Sequence, residues 1–180
     1  MPDRKEIVVS GIGIFTSIGC NKEDFWEALI AGKSGVRRIQ AFNPTGHISQ
    51  IASEVTSFKP EDYIERKQAR RMARVSQFAS AAAIQAVKDA GLDIAKENPT
   101  RIGCAIGSAA WDYASIEEQH LKFIEKGPGF INPLSVPKSI ANMPACNAAI
   151  VLGIHGPNLG LLGRREARRE AQRAQIRRGP

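Results

Sequence analysis

Apolar positions along the chain fall into two kinds of pattern, and these predict its elements. Ile7, Val8, Val9, Ile12, Ile14 and Phe15 sit almost continuously within residues 6–15, which reads as a buried β-strand running into a glycine-rich turn. Phe25, Trp26, Leu29 and Ile30 recur at helical spacing behind Asn21, a capping residue, and ahead of Gly32, a left-handed stop. Residues 33–57 read as loop, with one short strand near Ile51–Val55. Pro60 suits the first turn of a helix, Glu61 and Asp62 favour its dipole, and the same helix is expected to carry Arg66-Lys67-Gln68-Ala69-Arg70-Arg71.

The strongest periodicity is Val75, Phe78, Ala79, Ala82, Ala83, Ala86, Val87 and Ala90, one continuous apolar face that predicts a helix over 75–90 ended by Gly91. A second buried strand is expected over 101–107. Ser115 and Glu118 form an S-x-x-E capping box for a helix ending at Gly127. Pro133 to Gly153 is expected to hold two helical pieces separated at Pro144, before Gly156-Pro157-Asn158 and another apolar stretch. Strands alternating with helices make the class α/β.

At 180 residues the chain is long enough to bury a core, and no apolar run approaches the ~20 residues of a membrane span. The three cysteines, Cys20, Cys104 and Cys146, are far apart with no CxxC, which favours a reduced, cytosolic compartment and argues against both a disulfide scaffold and a zinc ribbon. The net charge of +7 is unevenly placed. Residues 1–159 carry 18 Lys and Arg against 16 acids, while residues 160–180 carry 7 Arg against 2 Glu. The body is nearly neutral, and the basicity belongs to a short tail of different composition.

Most signals for chemistry fail on inspection. Gly11-Ile12-Gly13 lacks the third glycine of a dinucleotide fingerprint, since that position is Thr16. Gly32-Lys33-Ser34 resembles the end of a phosphate loop, but the required first glycine falls on Glu27. His47, His120 and His155 are isolated from one another, and no metal-ligand spacing is present. Cys104 in a strand and Cys146 in an alanine-rich helix read as small core residues. Arg70-Arg71 reads as a solvated helix face able to meet an anionic partner.

An ordered set of stretches nevertheless resembles one family. Val8–Gly13, Phe25–Gly35, Arg66–Met72, Ser76–Ala79, Asp89–Leu92, Arg101–Gly103, Ile106–Ser108, Ile116–Glu118, Asn142-Met143 and Gly156-Pro157-Asn158 together resemble the N-terminal part of the elongating β-ketoacyl–acyl carrier protein synthases, of the 3-oxoacyl-ACP synthase II type. The resemblance implies the N-terminal half of a thiolase-like fold of layered αβαβα type, in an enzyme that works as a cytoplasmic homodimer without a cofactor or metal. In that family an acyl chain passes from carrier protein to a cysteine. Decarboxylation of malonyl–carrier protein then supplies the carbanion that attacks the thioester. Two histidines from the C-terminal half assist.

The resemblance places carrier-protein docking on Lys67, Arg70 and Arg71. A second basic docking patch is replaced here by Gly129 and Phe130, and acyl-pocket lining falls on Ala110, Trp111 and Leu134. The family's T-A-C nucleophile motif falls on Gly163, Arg164 and Arg165, so the cysteine position is Arg165 and no catalytic residue is assigned. Residues 1–159 are therefore expected to be a β-ketoacyl synthase portion and residues 160–180 an unrelated arginine-rich tail. The expected function is a truncated, inactive synthase, with a non-catalytic carrier-binding module as its alternative. Nucleic-acid binding through the tail ranks last, since residues 160–180 contain no aromatic.

The abrupt switch to arginine alone at the edge of the nucleophile motif points to a change of reading frame. Reading the coding DNA in the other two frames is expected to restore T-A-C after Gly156-Pro157-Asn158. Its absence from both frames overturns the idea.

Overall fold

The computed structural model describes residues 6–109 and 112–163. In chain order the elements are α1 (Lys22–Ile30), β1 (Val36–Arg38), β2 (Ile51–Ser53), α2 (Arg66–Ala69), α3 (Arg74–Asp89), β3 (Cys104–Ser108), α4 (Tyr113–Lys126), α5 (Ser135–Ser139), α6 (Met143–Leu152) and β4 (Asn158–Leu162). Four 3-10 turns punctuate them, at Pro60–Asp62, Ile94–Lys96, Pro99–Arg101 and Pro128–Phe130. The class is α/β, as the pattern predicted. No helix among the described residues is long and apolar enough to cross a membrane. The chain divides into two compact units, one of residues up to Lys59 with Ala82–Leu92, the other of Pro60–Ala81 with the residues from Asp93 onward. The helix α3 therefore contributes its halves to different units.

In the first unit, α1 starts where its sequence says it should. Asn21 accepts a hydrogen bond from the Asp24 backbone N–H at 2.8 Å, and Ala28 is buried beneath the helix. Gly32, Gly91 and Gly127 all take positive φ, as required of the helix stops expected there. The strand near Ile51 has a partner that the pattern did not reveal, since β1 pairs antiparallel with β2 in the register Val36↔Ser53. Three residues, two of them arginine, are too few to show an alternation.

Residues 6–15 do not form the buried strand that their apolar run predicts. No strand is assigned over 6–15, and Ile7 is 92 % exposed. A strand exists only through a neighbour that satisfies its backbone groups, and here side chains of α3 supply part of that. The N–H of Ile12 donates to Asp89 Oδ2 at 3.0 Å, and that of Ile14 to Gln85 Oε1 at 2.9 Å. Gln85 in turn donates to the Cys20 carbonyl at 2.8 Å. The two glycines make this possible: a Cβ on Gly13 would lie 1.9 Å from the Ala82 carbonyl oxygen, and one on Gly11 2.2 Å from that of Ala86. Asp89 also pairs with Lys22 of α1.

The second unit opens on a corrected helix. The continuous helix expected from Pro60 through Arg71 is instead a 3-10 turn, a break, and the four-residue α2. Glu65 at the break has ψ 132°, outside helical geometry. The break lets Ile64, Ala69 and Met72 be buried while Arg66, Lys67, Arg70 and Arg71 stay exposed. The helix α4 begins at Tyr113, two residues before the S-x-x-E box, and Glu118 pairs with Lys122 one turn further on instead of reaching back. Pro144 opens α6 rather than dividing the segment, since its missing N–H is harmless in a first turn. The break between α5 and α6 falls at residues 140–142.

Strands β3 and β4 pair in parallel, with Cys104 opposite Asn158 and Ser108 opposite Leu162. Parallel pairing needs a crossover, and α4, α5 and α6 supply it. The helix α6 lays Ala145, Ala148 and Ala149 into the core, and Asn158 Nδ2 donates to the Ala145 carbonyl at 3.2 Å. At Gly160 a Cβ would meet the Cα of Asn142 at 2.4 Å.

Two outcomes follow for stability. Gly13→Ala is expected to lower it by about 1–3 kcal/mol by overpacking, while Gly129→Ala, which meets nothing within 4 Å, leaves it unchanged; urea midpoints compare the two. The Lys22 ammonium and the Ile12 N–H hold the Asp89 carboxyl below its ordinary value. That contribution is present above the ordinary carboxylate pKa of about 3.9 and lost as pH falls through the lower folded value. Asp89→Asn should therefore flatten the loss of stability below about pH 4, as read from thermal midpoints against pH.

Candidate functional site

The densest charge on the described chain lies on the turn that α2 forms. Ala69, 1 % exposed, and Met72 anchor it inward. The Arg70 N–H donates to the Arg66 carbonyl at 3.1 Å and the Arg71 N–H to that of Gln68 at 2.9 Å. These bonds bring all three expected docking residues, Lys67, Arg70 and Arg71, onto one open groove of about 440 Å³, which Glu65 and Arg66 complete. Four cations thus face solvent beside one carboxylate. Arg74, the next cation, is used differently: its guanidinium lies 4.7 Å from the centre of the Phe78 ring. Burial lowers its pKa, and the Glu61 carboxylate opposes that.

Two side chains that the sequence reading missed close the far end of this turn. Gln77 Nε2 donates to the Ala69 carbonyl at 2.9 Å, and Lys138 Nζ donates to the Arg70 carbonyl, also at 2.9 Å. No local signal could have found Lys138, which is 68 residues away from Arg70 in sequence.

The other expected residues are less gathered. Leu134 stands at the N-cap of α5, partly exposed. Ala110, Trp111 and Arg165 lie outside the described residues, as does the chain beyond Gly163. Phe130, in the place of the second basic patch, is 64 % exposed on its 3-10 turn. His47, His120 and His155 are exposed, and among the described residues no group of His, Cys, Asp or Glu could hold a metal ion.

Cys104 lacks the setting of an activated thiolate. Burial pushes the Cys104 thiol above its ordinary value, and Cys146 adds to the shift. A nucleophilic cysteine needs the opposite. Cys146 Sγ accepts from Asn142 Nδ2 at 3.7 Å, within the first turns of α6. Cys20 lies against Ser57 Oγ at 3.3 Å, beside a second, polar groove of about 540 Å³.

Residues 4–161 match the family model described as beta-ketoacyl synthase, N-terminal domain. The chain is 40 % identical over 158 residues to the 3-oxoacyl-[acyl-carrier-protein] synthase 2 of Vibrio cholerae serotype O1, an alignment covering 88 % of this chain and 38 % of that protein. Among solved structures it is similar to the ishigamide ketosynthase/chain length factor, with a TM-score of 0.80 and 27 % identity over 86 % of this chain and 39 % of that one. It also shares the fold of AntDE:AntF, a type II PKS acyl-carrier protein in complex with its ketosynthase, with a TM-score of 0.66 and 18 % identity over 84 % of this chain and 40 % of that one. The chain belongs to the β-ketoacyl synthase family through that family's N-terminal domain. Its fold is that of the corresponding part of the thiolase-like ketosynthases, and it spans about 38 % of the length of the curated relatives it matches.

Proposed function

We propose that this chain is the carrier-docking portion of a 3-oxoacyl-ACP synthase, and that its 180 residues alone bind acyl carrier protein without condensing its cargo. The observation that carries this reading is the exposed groove on which Lys67, Arg70 and Arg71 converge, in a chain 40 % identical to a synthase named for that carrier. Acidic carrier proteins are drawn to clustered cations, which raise the encounter rate and fix the register of approach. The groove is open rather than enclosed, as suits a protein partner that must dock and leave.

The parent reaction joins two thioesters. A cysteine thiolate takes the acyl group and releases the carrier thiol. Malonyl–carrier protein loses carbon dioxide, and the carbanion left behind attacks the acyl thioester, giving the 3-oxoacyl product and freeing the cysteine. The first step needs a thiolate held at low pKa and donors for the oxyanion. Arg165 stands where the family has that cysteine, and a guanidinium is no nucleophile. Cys104, with its pKa raised by burial, does not replace it. Leu134, with Ala110 and Trp111, is the proposed lining of the acyl pocket in the longer enzyme.

The test is titration of acyl carrier protein onto the full chain, with Lys67→Glu/Arg70→Glu/Arg71→Glu beside it. Binding should weaken with rising salt and fall at least about tenfold in the triple variant, and acyl- and malonyl-carrier together should yield no condensed product. Equal affinity of the two proteins for the carrier removes the docking role, and product formation removes the claim of inactivity.

A further inference from the structure

We propose that Lys138 is a positioning residue of the docking groove, acting on the carbonyl end of the basic turn rather than on the partner; this rests on the docking reading above. α2 has four residues and no side-chain cap at Glu65, so it is far too short to hold itself by helix propagation. The carbonyls of Arg66, Gln68 and Ala69 accept backbone N–H groups, and that of Arg70, just past the helix end, is of the kind a helix leaves to outside donors. Lys138 Nζ meets the carbonyl of Arg70 at 2.9 Å, and Gln77 Nε2 that of Ala69 at the same distance. An ammonium is a charge-assisted donor, and a cation at a helix C-terminus is favourable.

The arm that carries Lys138 is itself fixed. Its N–H donates to the Leu134 carbonyl at 3.0 Å. Ser135 Oγ donates to the Asn132 carbonyl at 2.6 Å, and Ser139 Oγ, on a buried residue, to that of Val136 at 3.1 Å. The Asn132 N–H is held by Gln119 Oε1 of α4 at 2.8 Å. Lys138 therefore reaches Arg70 from a braced segment, and with it sets where the Arg70 and Arg71 side chains leave the backbone.

Lys138→Met keeps the length of the side chain and removes donor and charge, while Lys138→Arg restores both. In the full chain, amide hydrogen exchange at Arg70 and Arg71 should accelerate in the Met variant and return in the Arg variant. Carrier affinity should fall roughly two- to fivefold and recover in parallel. The slope of affinity against salt should stay that of the wild type, because Lys138 does not itself meet the carrier. Lys138→Gln takes the place of the Met variant if that protein does not fold. Unchanged exchange overturns the proposal, as does a reduced salt slope, which would make Lys138 a direct contact. If the triple reversal weakens binding and Lys138→Met does not, this proposal alone falls. If the triple reversal binds like the wild type, the docking reading falls and takes this one with it.

Discussion

At Gly13 a methyl group would lie 1.9 Å from the carbonyl oxygen of Ala82, and at Gly160 one would lie 2.4 Å from the Cα of Asn142. Backbone meets backbone at both places, with no side chain between. In the first unit this contact seats residues 11–13 directly on α3, close enough for Asp89 and Gln85 to serve their N–H groups. In the second unit it lets α6 settle on the β3–β4 pair, where Gly156 likewise approaches the Ile102 carbonyl. Backbones that come so near leave room only for small residues: Ala82, Ala86 and Ala90 stand opposite Gly11 and Gly13, and α6 buries Ala145, Ala148 and Ala149.

Small residues at these contacts gain precision of approach and give up apolar burial, because each alanine removes little surface from water. Phe58, Ile64, Met72 and Ile154 are buried as well, while other large apolar side chains are outward: Trp26 and Ile30 on α1, Ile124 on α4, and Phe130 and Val136 beyond it. A chain spanning about 38 % of its relatives' length has family members in which more polypeptide is available to cover them.

What could be read from the sequence was what local chemistry decides. Asn21, Gly32 and the long alanine face fix α1 and α3 within a few residues of themselves, and the structure keeps both elements. The charge-free run before Gly107 became β3, and the stretch after Gly156-Pro157 became its parallel partner. The failures share a cause. Residues 6–15 have strand composition but take their hydrogen bonds from Asp89 and Gln85, more than seventy residues away. The helix expected through Arg71 broke at Glu65 because burying Ile64 together with Ala69 and Met72 outweighed continuity. The cations proposed for docking, Lys67, Arg70 and Arg71, could be read as a run because they are neighbours in sequence. Lys138 was not, because only the folded chain brings it to Arg70.

The basic turn is costly as a piece of structure. Arg66 and Arg70 lie one helical turn apart, a like-charge spacing that disfavours a helix by a few tenths of a kcal/mol, and Lys67 and Arg71 add to the repulsion. Nothing in the packing demands these cations, since Ala69 and Met72 do the anchoring. Lys138 and Gln77 hold the carbonyl end, and among the described residues lining the groove Glu65 is the one carboxylate. An acidic partner seated on that groove would relieve the repulsion that the fold leaves standing. Binding and local stability would then rise together.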